Sequence, residues 1–286
     1  MTTASRVAAD VLRVLPRKQI SSVMGRISDI TGPSLLVQSM IRTFVRIYDV
    51  DLSEAVVPSG GFDSFDTFFT RALRPDVRAI SEDPDVVVSP ADGRIEDFGV
   101  IEGQSRFLIK GHEYEVGELL GAPEEAALFR GGSFFIVYLS PRDYHRVHAP
   151  VDGRIQRARH VGGTLYPVNS IGLQYVPKLF ARNERVVTVQ ASPFGAVATV
   201  MVGAIGVGRI SMSYDARITT NRGRPAGTLD YQERGPTVSR GGELGRFHLG
   251  STAIVLLGPE HRFRFTVKPG THVRMGQAIA RREEIP

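Results

Sequence analysis

The hexapeptide Pro90-Ala91-Asp92-Gly93-Arg94-Ile95 returns sixty residues later as Pro150-Val151-Asp152-Gly153-Arg154-Ile155. In both copies proline and glycine bracket a turn that feeds a strand-like run. From residue 85 onward the chain keeps to this pattern. Short apolar runs fall at 86–88, 134–139, 186–189, 196–201, 253–257 and 263–267, with Gly and Pro between them. Runs of that length between turn residues read as strands. The stretch His261-Arg262-Phe263-Arg264-Phe265-Thr266-Val267 alternates polar with apolar, as a half-buried strand does.

The repeated turn is joined near the end by Val267-Lys268-Pro269-Gly270-Thr271-His272-Val273-Arg274-Met275-Gly276-Gln277-Ala278-Ile279-Ala280. Both features resemble the turns of lipoyl- and biotinyl-type barrel-sandwich folds. No lysine stands at a hairpin tip in the way a carrier domain needs, so the fold is expected without the carrier function.

Ahead of residue 60 the period changes. Val7, Val11, Leu12 and Leu15 lie near helical spacing over 4–15, and Pro16 ends that segment. A second helix is expected over 19–30, with Ile20, Val23, Met24, Ile27 and Ile30. A third opens at Pro33, and its Leu35, Leu36, Met40, Ile41, Phe44, Val45, Ile47 and Tyr48 cover much of the circumference. Residues 62–71 read as a short capped helix. The expected class is α+β. Membrane-associating helices over 1–60 precede a mainly β, lipoyl-like barrel-sandwich catalytic domain over 61–286.

At 286 residues and 42% hydrophobic, the chain can bury a sizeable core. It has no cysteine, which excludes disulfides, thiolate metal sites and cysteine nucleophiles. The net charge is +5, and residues 1–50 hold seven Arg and Lys against three Asp. Such a segment attracts nucleic acid or anionic lipid. Apolar helix faces flanked by Arg favour the lipid surface, with no nucleic-acid partner expected. No apolar run approaches the roughly 18–20 residues of a membrane span, and no signal-peptide pattern is evident. An Arg-rich start also suits a transit peptide; a membrane-surface helix is the preferred reading.

Three stretches carry chemistry. In Leu249-Gly250-Ser251-Thr252 a serine follows a glycine between two strand-like runs. Its hydroxyl can attack the carbonyl of the preceding peptide bond, although alone the sequence is a common turn composition. An acyl shift there needs a base and a group to orient it. Ser89-Pro90-Ala91-Asp92-Gly93 and Ser140-Pro141-Arg142-Asp143-Tyr144-His145-Arg146-Val147-His148-Ala149-Pro150 supply candidates. Asp before Gly is by itself a turn former, and two histidines without a third ligand make a weak metal site, so no metal is expected.

Taken together these stretches resemble the bacterial-type phosphatidylserine decarboxylases, pyruvoyl-dependent enzymes made as self-cleaving proenzymes. The resemblance runs from about residue 45 to 281. It rests on Phe68-Phe69-Thr70-Arg71, the two clusters above, Asn169, and Gly245-Arg246-Phe247 leading into Leu249-Gly250-Ser251-Thr252. It implies that Asp92, His148 and Ser251 form a self-cleavage triad, with Asp92 fixing the tautomer of His148 and His148 taking the Ser251 proton. Cleavage of the Gly250–Ser251 bond would leave a β chain of 1–250 and an α chain of 251–286 that begins with pyruvoyl, the covalent cofactor. Phosphatidylserine would form a Schiff base there, lose CO2 and leave as phosphatidylethanolamine. His145 is the candidate for substrate binding or proton delivery. A homodimer of αβ units, peripheral on the cytoplasmic face of the cell membrane, is also implied. Deleting residues 1–48 is expected to reduce liposome binding and spare self-cleavage.

Two readings from other classes compete. A serine hydrolase could use Asp92, His148 and Ser251 on an external acyl group, but a Gly-x-Ser-x-Gly elbow is missing around Ser251. A non-enzymatic lipoyl-like binding module would keep an intact chain and tolerate His148→Ala. Within the first class, another amino acid could be the substrate, against which the lipid-directed helices and Tyr-His-Arg-x-His speak.

Overall fold

Beyond residue 85 the short apolar runs pair as antiparallel sheet. The computed structural model describes residues 17–31, 34–206, 209–220, 226–248 and 251–283. The helix expected over 4–15, Pro16, Pro33, Leu249 and Gly250 lie outside them. The helical region comprises α1 (Arg17–Ser28), α2 (Ser34–Tyr48) and α3 (Phe65–Phe69). The strands are β1 (Val86–Val88), β2 (Gly93–Val100), β3 (Arg106–Ile109), β4 (His112–Glu115), β5 (Ser133–Leu139), β6 (Arg146–His148), β7 (Gly153–Val161), β8 (Arg185–Ser192) and β9 (Gly195–Gly203). They continue as β10 (Ile210–Met212), β11 (Gly227–Asp230), β12 (Thr237–Val238), β13 (Glu243–Phe247), β14 (Ser251–Leu257), β15 (Phe263–Phe265), β16 (His272–Val273) and β17 (Ala278–Arg282).

The main sheet has the order β11-β7-β8-β9-β14-β5-β2-β16, with β12 also on β7. β14 is central: Ser251 stands opposite Leu139 of β5 and Gly203 of β9. Every residue of β14 is buried. Ile254 and Leu256 join one core cluster, while Ala253, Val255 and Leu257 join those on the opposite face. Covering both faces explains why this run is continuously apolar. Ile254, Val255, Leu256 and Leu257 are fully buried, and at about 1.5–3 kcal/mol each they contribute roughly 6–12 kcal/mol. A second sheet, β10-β13-β6, holds the approach to Ser251: three residues, 248–250, join β13 to β14.

The expected barrel is corrected. Among the described residues no sheet closes on itself; the main sheet runs from β11 at one edge to the two-residue β16 at the other. What the repeated hexapeptide builds instead is a local two-fold. Val88 N donates to Pro150 O and His148 N to Pro90 O. Ser89 N donates to Gln277 O and Ala149 N to Gly242 O. The Asp92 carboxylate accepts from Met275 N and that of Asp152 from Arg240 N. Register shifts fall at the same place in both copies, Ile95/Asp97 and Ile155/Arg157. The glycines are there for close approach. A Cβ on Gly93 would lie 2.4 Å from Tyr138 O, and one on Gly153 would lie 2.6 Å from Ala191 O.

The helices expected over 19–30, from Pro33 and within 62–71 appear as α1, α2 and α3. In α3, Ser64 caps the N-terminus in a capping box with Thr67. It presents Phe65, Phe68 and Phe69 to a cluster that includes Val37 and Ile41 of α2. One expectation changes as a result. α2 is half core, so deleting residues 1–48 would strip this phenylalanine cluster as well as the exposed apolar face. The other face of α1 and α2 is open: Val23, Ile27, Ile30, Leu35, Leu36, Met40, Ile47 and Tyr48 are exposed. Among the described residues no helix is long and apolar enough to cross a membrane. Short helices α4 (Val116–Leu120), α5 (Ser170–Tyr175) and α6 (Leu179–Arg182) were not expected from sequence.

Candidate active site

Ser251 opens β14 and is almost fully buried. Among the described residues its Oγ has no hydrogen-bond partner, nor has Oγ1 of Thr252 or Oγ of Ser140, which follows the residue opposite Ser251. Gly250, the other residue of the bond expected to cleave, lies outside the described residues. Ahead of it, His248 is anchored. Its Nδ1 lies 2.6 Å from Asp66 Oδ1 on α3, and its Nε2 2.9 Å from Ser211 Oγ on β10. Arg209 joins the group: its Nη2 is 3.3 Å from Asp66 Oδ2, and its Nη1 is 3.3 Å from Asp29 Oδ2 beyond α1.

His148 ends β6. Its Nδ1 donates to Gly241 O at 2.8 Å, which makes Nε2 the lone-pair nitrogen; Nε2 is 3.1 Å from the Tyr144 hydroxyl. Burial lowers the His148 pKa below its ordinary value, outweighing the Gly241 bond and the charges of Glu243 and Asp92. The ring is thus neutral at neutral pH, the form a general base needs. Burial pushes Tyr144 up to about 12.

Asp92 does not hydrogen-bond His148. Its Oδ1 and Oδ2 accept from Arg78 Nε (3.0 Å) and Nη2 (2.5 Å), and Oδ1 also accepts from Met275 N. The tautomer-fixing contact expected of Asp92 is made by the Gly241 carbonyl, because the Asp92 oxygens are taken by Arg78. Arg78 also reaches Glu54 at 2.7 Å. Burial opposes the Arg78 cation, but these two carboxylates outweigh it and hold its pKa above the ordinary value.

His145 is fully buried beneath Phe69, with ring centroids 4.1 Å apart. Its Nδ1 is 2.8 Å from the Asp143 carbonyl, and its Nε2 has no partner. Since a carbonyl only accepts, Nδ1 carries the proton and Nε2 is an acceptor. Burial pushes the His145 pKa down to about 3. The Asp143 carbonyl is shared with Arg71, whose Nη2 lies 3.3 Å from it and 3.2 Å from Arg142 O. Asn169, part of the resemblance, caps α5 by accepting from Gly172 N.

A family model described as phosphatidylserine decarboxylase matches residues 65–281. The chain belongs to the phosphatidylserine decarboxylase family. Relatives named phosphatidylserine decarboxylase proenzyme agree along nearly the whole length. One from Methylococcus capsulatus is 44% identical over 84% of this chain and 85% of its own. One from Bordetella pertussis is 42% identical over 93% and 91%, and one from Acidovorax ebreus 42% over 98% and 99%. Membership makes the chain an enzyme and removes the binding-module alternative. Within this member of the family, sequence reading missed Arg78, Gly241, and the Asp66–Arg209–His248 group. Arg78 belongs to no motif, and a main-chain carbonyl such as that of Gly241 carries no residue-type signal. His248, directly beside the Leu-Gly-Ser-Thr stretch, was the one findable signal.

Proposed function

We propose that the chain is a self-processing decarboxylase that converts phosphatidylserine to phosphatidylethanolamine and CO2 with a pyruvoyl group made from Ser251. The observation that carries this reading is Ser251 itself: a buried, unpartnered hydroxyl on the first residue of a central strand. Such a hydroxyl fits a group made in place, because the strand it opens is paired on both sides, with β5 and β9.

Ser251 Oγ attacks the Gly250 carbonyl carbon, turning the amide into an ester and freeing the residue-251 amine. β-Elimination then breaks the Cβ–O bond, releases the Gly250 carboxylate and leaves dehydroalanine, which water converts to pyruvoyl and ammonia. His148 accepts the Ser251 proton at Nε2, the nitrogen that Tyr144 hydrogen-bonds in the structure, while Gly241 holds Nδ1–H. Asp92 supports the imidazolium through its charge. Residues 251–286 stay bound through β14, β16 and β17, which pair with β5, β9, β2 and β1 of the preceding chain.

Once formed, the pyruvoyl carbonyl supplies the electron sink for decarboxylation. The acceptor Nε2 of His145 suits the substrate ammonium and not its phosphate. With its pKa pushed down to about 3, the ring serves there as an acceptor and not as a store for the proton returned to the product carbon. The helical region over 1–60 docks peripherally on an anionic membrane, the cytoplasmic face in a bacterial cell. Its exposed apolar face supports this, with Arg26, Arg42 and Arg46 exposed on the same helices. A homodimer of αβ units belongs to the same reading. Purified protein given phosphatidylserine vesicles should release CO2, and Ser251→Ala should release none. A cleaved protein that releases no CO2 would refute the reading.

A further inference from the structure

Arg71 is a buried cation in search of an anion. It follows α3 and is 5% exposed. Its Nη2 holds two main-chain carbonyls, but its buried Nε and Nη1 have no partner. Among the described residues no carboxylate forms an ion pair with it. A buried guanidinium left so is costly unless something else completes it. Arg71 lines a cavity of about 260 Å³ together with Asp92, Arg142, Asp143 and Tyr144.

Of the five acids in that wall, Asp49, Asp51, Glu54, Asp92 and Asp143, all but Asp49 are already engaged. Asp92 is held by Arg78 and Met275 N, and Glu54 by Arg78 and Arg274. Asp143 Oδ2 accepts from Ser140 N, and Asp51 Oδ1 from Ser53 N. The neighbouring acceptor, His145 Nε2, cannot serve an anion. The free Nε–H and Nη1–H lie on different edges of the guanidinium, and each can donate one charge-assisted hydrogen bond to an oxyanion.

We propose that Arg71 is the phosphate-binding residue of the substrate site, one of its free N–H groups, Nε–H or Nη1–H, donating to an oxygen of the lipid phosphodiester. The inference rests on the decarboxylase reading. The headgroup offers two oxyanions, and the reaction chooses between them. Loss of CO2 removes the carboxylate's charge, so a guanidinium on the carboxylate would stabilise substrate more than transition state. The phosphate keeps its charge throughout, so pairing it strengthens binding of substrate and product alike.

The test uses self-cleaved enzyme, checked by mass, with Arg71→Lys and Arg71→Gln. KM for a short-chain phosphatidylserine should rise roughly 10- to 100-fold in Arg71→Gln, the range for a hydrogen bond to a charged group, with kcat unchanged. Arg71→Lys should fall between. Inhibition by glycerophosphoethanolamine should weaken by the same factor as KM rises. An unchanged KM overturns the proposal. So does a raised KM with undiminished glycerophosphoethanolamine inhibition, which would assign Arg71 to the carboxylate. If neither variant folds, glycerophosphoethanolamine soaked into crystals of the unsubstituted enzyme decides. Its phosphate on Arg71 Nε or Nη1 supports the proposal, and a phosphate elsewhere overturns it. Failure of the decarboxylase reading would show separately, as absence of CO2 release by the unsubstituted enzyme.

Discussion

His145 should make the protein acid-sensitive by a calculable amount. Burial, and behind it the Arg71 charge, hold its folded pKa at about 3 against the tie to Asp143. In the unfolded chain it titrates near the ordinary ~6.5. A histidine lowered on folding binds its proton only when unfolded, so stability is full above about pH 6.5 and drains as pH falls towards the folded value. Between pH 7.5 and 5.0 the loss is about 2 kcal/mol, and it hardly changes for any folded value below about 4. For a chain of this size that is about 4–8 °C in Tm. The perturbation is His145→Asn, whose amide can keep the donor to Asp143 O and cannot titrate. Both proteins should carry Ser251→Ala, so that each unfolds as one chain. Thermal unfolding by circular dichroism at the two pH values gives the comparison. The His145 protein should lose about 4–8 °C more than the Asn protein. Equal losses would refute the claim that the ring is buried and neutral.

In the proposed mechanism self-cleavage needs neutral His148, whose pKa burial lowers. Its rate, followed by loss of precursor on a gel, should be flat around neutral pH and fall only in acid, below about 6.5. His148→Gln should abolish it at every pH. The Asp66–His248 contact anchors the residue two before Gly250, near the bond proposed to cleave. Asp66→Asn and His248→Gln should each slow cleavage roughly tenfold, as loss of one hydrogen bond would, and the double variant should be no slower than either. Unchanged rates would remove that role. Replacing exposed Leu35, Leu36 and Ile47 by Ser should weaken co-sedimentation with anionic vesicles and leave Tm within about 2 °C, since surface changes are nearly neutral. Undiminished binding would contradict the docking face.

The strands were legible because their signals are local. Runs such as 253–257 are apolar on both faces and bounded by Gly, Pro and charged residues, and the sheet places them there. The helix after Ser64 was legible from its cap. Sheet closure was not, since it depends on hydrogen bonds between distant edges. Those edges include the two-residue strands at Thr237–Val238 and His272–Val273. Helices of four to six residues, such as Leu179–Arg182 and Ser170–Tyr175, are too short to show a 3.6 period. At the site, residue types named Asp92, His145, His148 and Ser251. They could not show that Arg78 holds both Asp92 oxygens, or that a carbonyl orients His148. The repeated hexapeptide told more than a turn. Its two prolines accept from opposite copies, and that crossing places His148 beside the Asp92 loop.

The central claim is that Ser251 becomes the reactive group. Intact mass spectrometry of the purified protein beside Ser251→Ala tests it most directly. The account predicts two chains split after Gly250, the 36-residue C-terminal one carrying pyruvoyl in place of serine, and a single chain for the variant. A single uncleaved chain for the unsubstituted protein would contradict it.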